Sequence, residues 1–171
     1  MSELPIRVCH PGDEHFLSIV ASGTFLENFA GTLDGADVLA HLQKNNSVAK
    51  YATWLADPQT HIAVSELLNS PIGYAVLCPP DLPVPLTPTD IELRRIYLFQ
   101  RFQGTGVGLA LLNWSIQKSR DLNMTRLLLG VYGENRKAIA WYHRQGFQTI
   151  GTRQFLVGTT LHDDLVLALP L

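Results

Sequence analysis

The strongest constraint on the fold is a glycine-rich turn between a strand-like and a helix-like segment. Residues 91–99 form a β-rich run, and the stretch 106–122 has helical apolar spacing. The junction between these two segments has a glycine at every second position: Gly104, Gly106 and Gly108. Glycine permits a tight turn there, which brings backbone N–H groups close together at the start of the helix. The N–H groups and the helix dipole both favour an anion. The turn therefore predicts a βα unit with a candidate phosphate site, although close helix-strand packing also selects glycine.

Apolar periodicity predicts further strands and helices along the rest of the chain. The predicted strands cover residues 5–10, 61–67, 72–77, 91–99, 126–131, 148–155 and 164–169. The predicted helices cover residues 16–29, a segment after Asp37 that stops at Asp57–Pro58, and residues 106–122 and 135–145. Two helices thus precede the main strands, and the later alternation of strand and helix indicates a mixed α/β fold.

Five prolines between residues 79 and 88 exclude regular helix and central strand there. We expect a stiff surface loop. It is either a plain connector or a wall on the substrate side of a site.

Length, charge and cysteine content exclude several classes of protein. The 171 residues, 46% of them hydrophobic, suit one domain over residues 1–171, and a net charge of −2 gives no basic footprint for nucleic acid. No apolar run reaches the roughly 18 to 20 residues that span a bilayer, and the start at residues 1–5 lacks a secretory signal pattern, so we expect a cytoplasmic protein without a membrane partner. Cys9 and Cys78 form no CxxC pair, so we expect neither a disulfide framework nor a zinc site.

Two common nucleotide-binding loops do not match the glycine turn. A dinucleotide fingerprint would need glycine where the chain has Leu109 or Leu111, and no G-K-[ST] triplet follows for a P-loop. The sequence therefore excludes both of these nucleotide-binding loops at this turn.

Two motifs together resemble those of the GNAT superfamily of N-acetyltransferases. Gln103, Gly106 and Gly108 match its coenzyme-binding pattern (Q/R)-x-x-G-x-(G/A), and residues 135–147 match N-x-x-A-x-x-x-Y-x-x-x-G-F. The resemblance implies a mixed α/β (α+β) fold with a mostly antiparallel central sheet of six to seven strands and about four flanking helices. It also implies acetyl-CoA as the acetyl donor, with no metal.

The resemblance implies that the coenzyme lies along one strand and over the glycine turn. The backbone near Leu98 would pair with the pantetheine arm like an added strand, and the turn amides would hold the pyrophosphate. Asn135 would lie near the thioester end and Lys137 would reach a phosphate; a helix N-cap and a solvated charge are the respective alternatives. The implied coenzyme-binding residues are Tyr97, Leu98, Gln103, Gly104, Thr105, Gly106, Val107, Gly108, Asn135 and Lys137.

Acetyl transfer to an amine requires the neutral amine, so a base is useful. We expect Glu92 in this role, because strict strand alternation would place it on one face with Arg94, Ile96 and Leu98, towards the end of the pantetheine strand. The alternative is an ion pair between Glu92 and a neighbouring arginine.

Tyr142 lies at the family's tyrosine position and is the expected general acid for the leaving thiolate; a packed helix aromatic is the alternative. Direct transfer to the amine needs no side-chain nucleophile, so we expect no acetyl-enzyme intermediate on either cysteine. His143 is expected at the surface, because adjacent helix residues point about 100° apart, and His61 and His162 are interpreted as structural.

The acceptor is the least determined part of the prediction. Segments 24–30, 37–42 and 92–98 are similar to the spermine/spermidine branch of the superfamily, and residues 1–60 carry seven acidic against three basic side chains. We therefore expect a small primary amine, and polyamines are the first candidates because Glu27, Asp34 and Asp37 could attract their ammonium groups. The alternatives are a peptide or protein amine, an amino acid, an aminoglycoside, or a non-catalytic acyl-CoA sensor. The sequence leaves open whether the chain forms a homodimer.

Overall fold

The structure is a computed structural model that describes residues 6–171. Residues 1–5, which include Pro5 of the predicted first strand and the segment predicted to lack a secretory signal, lie outside this range. The strands are β1 Ile6–Val8, β2 His61–Leu67, β3 Ser70–Cys78, β4 Asp90–Leu98, β5 Arg126–Tyr132, β6 Gln148–Val157 and β7 Thr160–Pro170. The helices are α1 Glu14–Phe29, α2 Gly35–Asn45, α3 Val48–Ala56, the 3-10 turn Gln100–Phe102, α4 Val107–Asp121 and α5 Arg136–Arg144.

The strands form one seven-stranded sheet in the order β1-β2-β3-β4-β5-β7-β6. All neighbours are antiparallel except β4 and β5. The expected fold class is therefore confirmed. One helix boundary differs: the Ser47 hydroxyl accepts a hydrogen bond from the Lys50 N–H at 3.2 Å and caps α3, so the second predicted helical segment is divided and three helices, not two, precede β2.

β4 and β5 are paired only at their starts and diverge afterwards. The pairing covers Asp90 to Glu92 on β4, while β4 continues to Leu98 and β5 to Tyr132. Arg126 closes the paired end by donating to the Asp90 carboxylate at 2.6 Å and to the Pro85 carbonyl at 2.9 Å. The sheet consequently has a V-shaped opening between its two central strands.

A β-bulge in β4 overturns one expectation about side-chain direction. The β3–β4 register places Arg94 as an extra residue on β4, and such an insertion reverses the alternation of faces. Ile96 and Leu98 therefore pack in the same core as Leu93, whereas Glu92 faces the other side of the sheet. The predicted common face of Glu92 with Ile96 and Leu98 is wrong.

The two faces of the sheet carry separate cores. Helices α4 and α5 cover one face, where Leu111, Leu112 and Tyr142 pack against β3, β4, β5 and β7. On the other face, α1 and α3 pack against β2 and β3. The proline-rich segment lies over the second face further along, where Leu82 packs on Leu128 and Val166. In residues 6–171 no helix has both the length and the apolar character needed to cross a bilayer.

Candidate active site

A groove of about 790 Å³ occupies the opening between β4 and β5 and reaches the starts of α4 and α5. Most of the predicted coenzyme-binding residues line it: Tyr97, Leu98, Gln103, Gly104, Gly106, Gly108, Asn135 and Lys137. Thr105 and Val107 do not. The Thr105 hydroxyl donates to the Phe102 carbonyl at 2.6 Å, and the Val107 side chain is buried in the core, so these two residues offer the groove only their backbone.

The glycine turn leaves a helix start without a cap. Gly104 and Gly106 have φ values of +78° and +96°, conformations that L side chains rarely adopt. Gly106 is the N-cap of α4 and has no side-chain bond there. Within residues 6–171, the N–H groups of Val107 and Gly108 have no hydrogen-bond acceptor. These unsatisfied donors fit a phosphate-bearing ligand such as the pyrophosphate of acetyl-CoA.

The free edge of β4 fits the extended arm of such a ligand. The Phe99 N–H donates to the Ile72 carbonyl at 3.0 Å, and Tyr97 is paired with Tyr74. Because hydrogen-bonded pairs alternate along antiparallel strands, Ile96 and Leu98 direct their N–H and C=O groups away from β3, towards the opening. An amide-containing chain can pair with them in the way an added strand would.

Side chains at the start of α5 stand beside the glycine turn. Lys137 Nζ donates to Gln103 Oε1 at 2.7 Å. Asn135 is the N-cap of α5 and its Oδ1 accepts from the Ala138 N–H at 3.1 Å, so the capping alternative is confirmed for this residue. The Asn135 side-chain NH₂ donors remain for a ligand in the groove.

Tyr142 lines the groove from α5. Its ring is buried and packs edge-on against Trp141 and Phe147 at centroid distances of 5.0 and 5.5 Å. Burial raises the pKa of the Tyr142 hydroxyl well above its usual range, so the phenol is protonated at neutral pH. The Tyr142 ring thus packs in the core, as the alternative interpretation expected, and the same residue also lines the groove.

A second cavity of about 380 Å³ lies on the opposite face of the sheet, between α1–α3 and strands β6 and β7. The two cavities meet at the V-shaped opening, where they share Phe29, Arg94, Arg95, Tyr97, Gly130 and Tyr132. Asp81 and Pro83 of the proline-rich segment belong to the wall of this second cavity. We call it the acceptor cavity.

Glu92 lies in the wall of the acceptor cavity and is almost completely buried. Its Oε2 accepts from Arg94 Nη2 at 2.6 Å and from the Asp81 N–H at 2.9 Å. The ion pair with Arg94 was the alternative interpretation of this residue, and it is present. The two bonds hold the carboxylate where β4 and β5 begin to diverge.

Arg95 is the centre of a polar network in the same cavity. Its Nη1 donates to Asn46 Oδ1 at 2.8 Å and to the Tyr51 hydroxyl at 2.6 Å, and its Nη2 donates to the Asn45 carbonyl at 2.9 Å. The guanidinium carbon lies 4.8 Å from the centre of the Trp54 ring. All of these partners are electrically neutral.

Asp164 presents a carboxylate oxygen without a donor. Its Oδ2 accepts from Arg153 Nε at 3.2 Å, while its buried Oδ1 has no hydrogen-bond partner in the described chain. Burial raises the pKa of this carboxyl, against the lowering effect of Arg153. Gly130 makes room for the pair, because a Cβ there would overlap the Arg153 guanidinium.

The three acidic residues expected to attract a polyamine have other contacts. Glu27 Oε2 accepts from the Gln100 N–H at 2.7 Å, and Asp34 caps α2. Asp37 accepts from the Thr159 N–H at 2.8 Å and the Thr160 hydroxyl at 2.6 Å, which fixes the β6–β7 turn. None of the three carboxylates lines either cavity.

The cysteines lie outside both cavities. Burial raises the pKa of Cys9 to about 12 and that of Cys78 to about 11, so both are neutral thiols at pH 7. Residues 6–171 contain no group of three or more His, Cys, Asp or Glu side chains arranged to hold a metal ion.

The structure places His143 at the surface, as expected, where it contacts the Thr149 hydroxyl. His61 lines neither cavity, but His162 lines the acceptor cavity and its ring packs edge-on against Tyr132 at 5.6 Å. Sequence reasoning missed the acceptor-cavity roles of Arg95, Arg153 and Asp164. The sequence did contain one signal for this cavity: His162 and Asp164 are two residues apart on the last strand and therefore lie on the same face of the sheet.

Fold and site together define an acyl-group transferase that uses a phosphate-bearing coenzyme. The model of the acetyltransferase (GNAT) family matches residues 33–147. An uncharacterized N-acetyltransferase from Mycobacterium bovis is 30% identical over 155 residues, which cover 91% of this chain and 96% of the relative. The chain therefore belongs to the GNAT family and is an acetyl-CoA-dependent N-acetyltransferase.

Solved structures show the same fold. The PaiA N-acetyltransferase from Thermoplasma acidophilum, in complex with coenzyme A, has a TM-score of 0.80 at 17% identity, with 98% of this chain and 99% of that chain covered. The ribosomal-protein-alanine N-acetyltransferase from Brucella melitensis has a TM-score of 0.67 at 23% identity, with 98% and 100% covered.

Proposed function

We propose that the protein transfers the acetyl group of acetyl-CoA directly to a primary amine bound in the acceptor cavity. The observation that carries this proposal is the meeting of the two cavities at the opening between β4 and β5. A coenzyme in the groove and an amine in the cavity approach each other only there, since the sheet separates them elsewhere. Such positioning of two reactants supplies much of the acceleration of a bimolecular step.

The coenzyme is held mainly by backbone groups in this proposal. The N–H groups at the start of α4 bind the pyrophosphate, and Lys137 adds a positive charge beside them. The β4 edge at Ile96 and Leu98 pairs with the pantetheine arm, and the Asn135 amide lies further along the groove. Bound acetyl-CoA supplies the thioester that is attacked and the thiolate that leaves.

Glu92 is the proposed base that accepts the proton of the acceptor amine, directly or through a water molecule. For an amine with a pKa of about 10.4, deprotonation at pH 7 costs about 4.6 kcal/mol, so a nearby acceptor for that proton matters. The support is positional: Glu92 lines the acceptor cavity at the base of the V, and its bonds to Arg94 and the Asp81 N–H fix its orientation.

Tyr142 is the proposed acid. As the nitrogen–carbon bond forms and the carbon–sulfur bond breaks, the Tyr142 hydroxyl donates its proton to the departing sulfur. The proton that the former amine nitrogen loses as it becomes an amide then restores the Tyr142 hydroxyl. Two observations support this role: Tyr142 lines the coenzyme groove, and burial keeps its hydroxyl protonated through a raised pKa. Direct transfer is also consistent with two buried, neutral cysteines that lie outside both cavities.

The contacts of Glu27, Asp34 and Asp37 remove the support that the acidic side chains offered for a polyamine acceptor, which now rests on the resemblance to the polyamine branch alone. A cavity of about 380 Å³ suits a small molecule or the end of a peptide. The Brucella neighbour is named as acting on an alanine of a ribosomal protein, which keeps a peptide N-terminus among the candidates. Small amines and peptide N-termini are therefore the two acceptor classes to compare.

The test is release of free coenzyme A thiol from acetyl-CoA in the presence of small amines, amino acids, polyamines and N-terminal peptides at one pH. We expect release that depends on an amine and saturates with its concentration. Tight binding of acetyl-CoA with no release for any amine would instead support a non-catalytic acyl-CoA sensor.

A further inference from the structure

We infer that the acceptor amine also carries a carboxylate, which Arg95 and Lys50 bind at the wall of the acceptor cavity formed by α3. This inference rests on the proposed function and names the substrate class of the same site. It is carried by two cations that share one aromatic ring and have no carboxylate partner.

Arg95 is a positive charge that the described chain leaves without a counter-ion. Its three hydrogen bonds go to an amide oxygen, a phenol and a backbone carbonyl, and within residues 6–171 it forms no ion pair. The other two arginines of the cavity differ, because Arg94 is paired with Glu92 and Arg153 with Asp164. Charges removed from water are usually paired, so an unpaired one in a cavity favours an anionic ligand.

Lys50 doubles this charge. Its Nζ lies 4.7 Å from the centre of the Trp54 ring, and Arg95 lies 4.8 Å from the centre of the same ring. Both side chains line the acceptor cavity. Two positive charges near one ring raise the electrostatic potential of this wall, and a higher positive potential favours an anionic ligand.

The neighbouring groups do not neutralise this wall. His41 is buried in the same cavity, and burial, together with the charge of Arg95, lowers its pKa to about 4. It is therefore neutral at pH 7. Asn45, Asn46 and Tyr51 contribute only dipoles.

The free donors of Arg95 suit a carboxylate. Its Nε–H and the second N–H of Nη2 have no acceptor among the described residues. Hydrogen bonds from a guanidinium to a carboxylate are charge-assisted and stronger than those between neutral groups, so these two donors favour a carboxylate over a neutral acceptor.

The cavity also offers a group for the amine end of such a ligand. Asp164 is one of the residues that line this cavity, and its Oδ1, which is shielded from solvent, has no donor in the described chain. The negative charge of this carboxylate attracts the ammonium group of a ligand in the cavity. A cationic wall together with one carboxylate oxygen that lacks a donor matches a ligand that carries both an amine and an anionic group. A polycation fits less well, because it has no negative charge to pair with Arg95 and Lys50.

The experiment compares amines that differ only in the carboxylate. The steady-state rate of coenzyme A release is measured with 4-aminobutyrate against 4-aminobutanamide, and with lysine against cadaverine. We expect kcat/KM to favour the carboxylate member of each pair by at least about tenfold, as hydrogen bonds to a charged group predict. Equal values, or a preference for the member without a carboxylate, would overturn the inference.

Two variants test the residues. Lys50→Gln and Arg95→Gln should each reduce the carboxylate preference by about threefold to tenfold, mainly through the KM of the acceptor. The affinity for acetyl-CoA should be unchanged in Lys50→Gln, because Lys50 lines the acceptor cavity and not the coenzyme groove. Lys44→Gln is the matched control, because Lys44 is exposed on α2 and lines neither cavity. A preference that survives Lys50→Gln at the wild-type value contradicts the inference, even if Arg95→Gln fails to fold.

The same data separate this inference from the proposed function. If simple amines support coenzyme A release and the enzyme shows no preference for a carboxylate, the proposed acetyl transfer stands and only the inferred substrate class is wrong. Absence of release with every amine, while acetyl-CoA still binds, removes the proposed function itself.

Discussion

Lys137 Nζ lies 2.7 Å from Gln103 Oε1, so the first turn of α5 is tied to the turn that begins α4. The ammonium group is thereby held at Gln103, in the groove that Gly104, Gly106 and Gly108 also line. We expect Lys137→Met to raise the KM for acetyl-CoA about threefold to tenfold while kcat changes little, because an exposed charge contributes modestly to phosphate binding. Steady-state kinetics measure this, with Lys44→Met as the control. An unchanged KM would mean that Lys137 is only a solvated surface charge.

The glycine turn permits a comparison of two matched substitutions. Gly104 and Gly31 share a φ of +78°, and a Cβ at either position would meet no other atom within 4 Å. Gly104→Ala and Gly31→Ala should therefore cost similar stability, about 1 kcal/mol each. Only Gly104 lines the coenzyme groove. We expect only Gly104→Ala to weaken acetyl-CoA binding in a titration, and equal binding by both variants would argue against the groove as the coenzyme site.

Tyr142→Phe keeps the packed ring and removes the proposed proton donor. We expect kcat to fall by about 10² to 10⁴-fold, with the dissociation constant of acetyl-CoA nearly unchanged. The pKa of Tyr142 is raised by burial, so its hydroxyl stays protonated from pH 6 to 9 and the deficit should persist across that range. Wild-type turnover by the variant throughout this range would show that Tyr142 serves packing alone.

The ion pair between Asp90 and Arg126 closes the narrow end of the V and should set part of the acid sensitivity. Hydrogen bonds from Arg126 lower the pKa of Asp90, so this carboxylate stabilises the fold above its unfolded pKa of about 4 and loses that contribution as the pH falls further. Arg126→Met should lower the free energy of unfolding at pH 7 by about 1–3 kcal/mol and make its decline below pH 4 shallower.

Urea titrations at several pH values measure this effect. Arg7→Met is the control, because Arg7 pairs with Asp13 and Glu66 near the surface and each such pair contributes less than about 1 kcal/mol. The prediction would be contradicted if Arg126→Met lowered the free energy of unfolding at pH 7 by no more than Arg7→Met does.

The parts of the site that were predictable from the sequence are those encoded locally. The glycine turn, the Asn135 cap and the position of Tyr142 each depend on residues within one short segment, and the structure brings them together around one groove. The face of Glu92 was not predictable in this way, because the bulge at Arg94 depends on pairing with β3 and is invisible to a strict period of two.

The acceptor cavity shows the same limit more clearly. Arg95 is joined to Asn45, Asn46 and Tyr51, which lie 44 to 50 residues away along the chain. Local periodicity carries no information about such contacts. The same holds for Asp37, whose carboxylate looked like a polyamine contact in the sequence and instead binds the β6–β7 turn 122 residues later.

The most direct test of acetyl transfer to an amine in this site uses acetyl-CoA with an isotopically labelled acetyl group. The wild-type protein is incubated with it and an amine that supports coenzyme A release, and mass spectrometry is applied to both the small molecules and the intact protein. We predict that the labelled acetyl group appears on the amine nitrogen, that the protein mass stays unchanged during turnover, and that Tyr142→Phe forms the same product more slowly. A labelled acetyl group accumulating on the protein, or no labelled amine while acetyl-CoA remains bound, would contradict direct transfer.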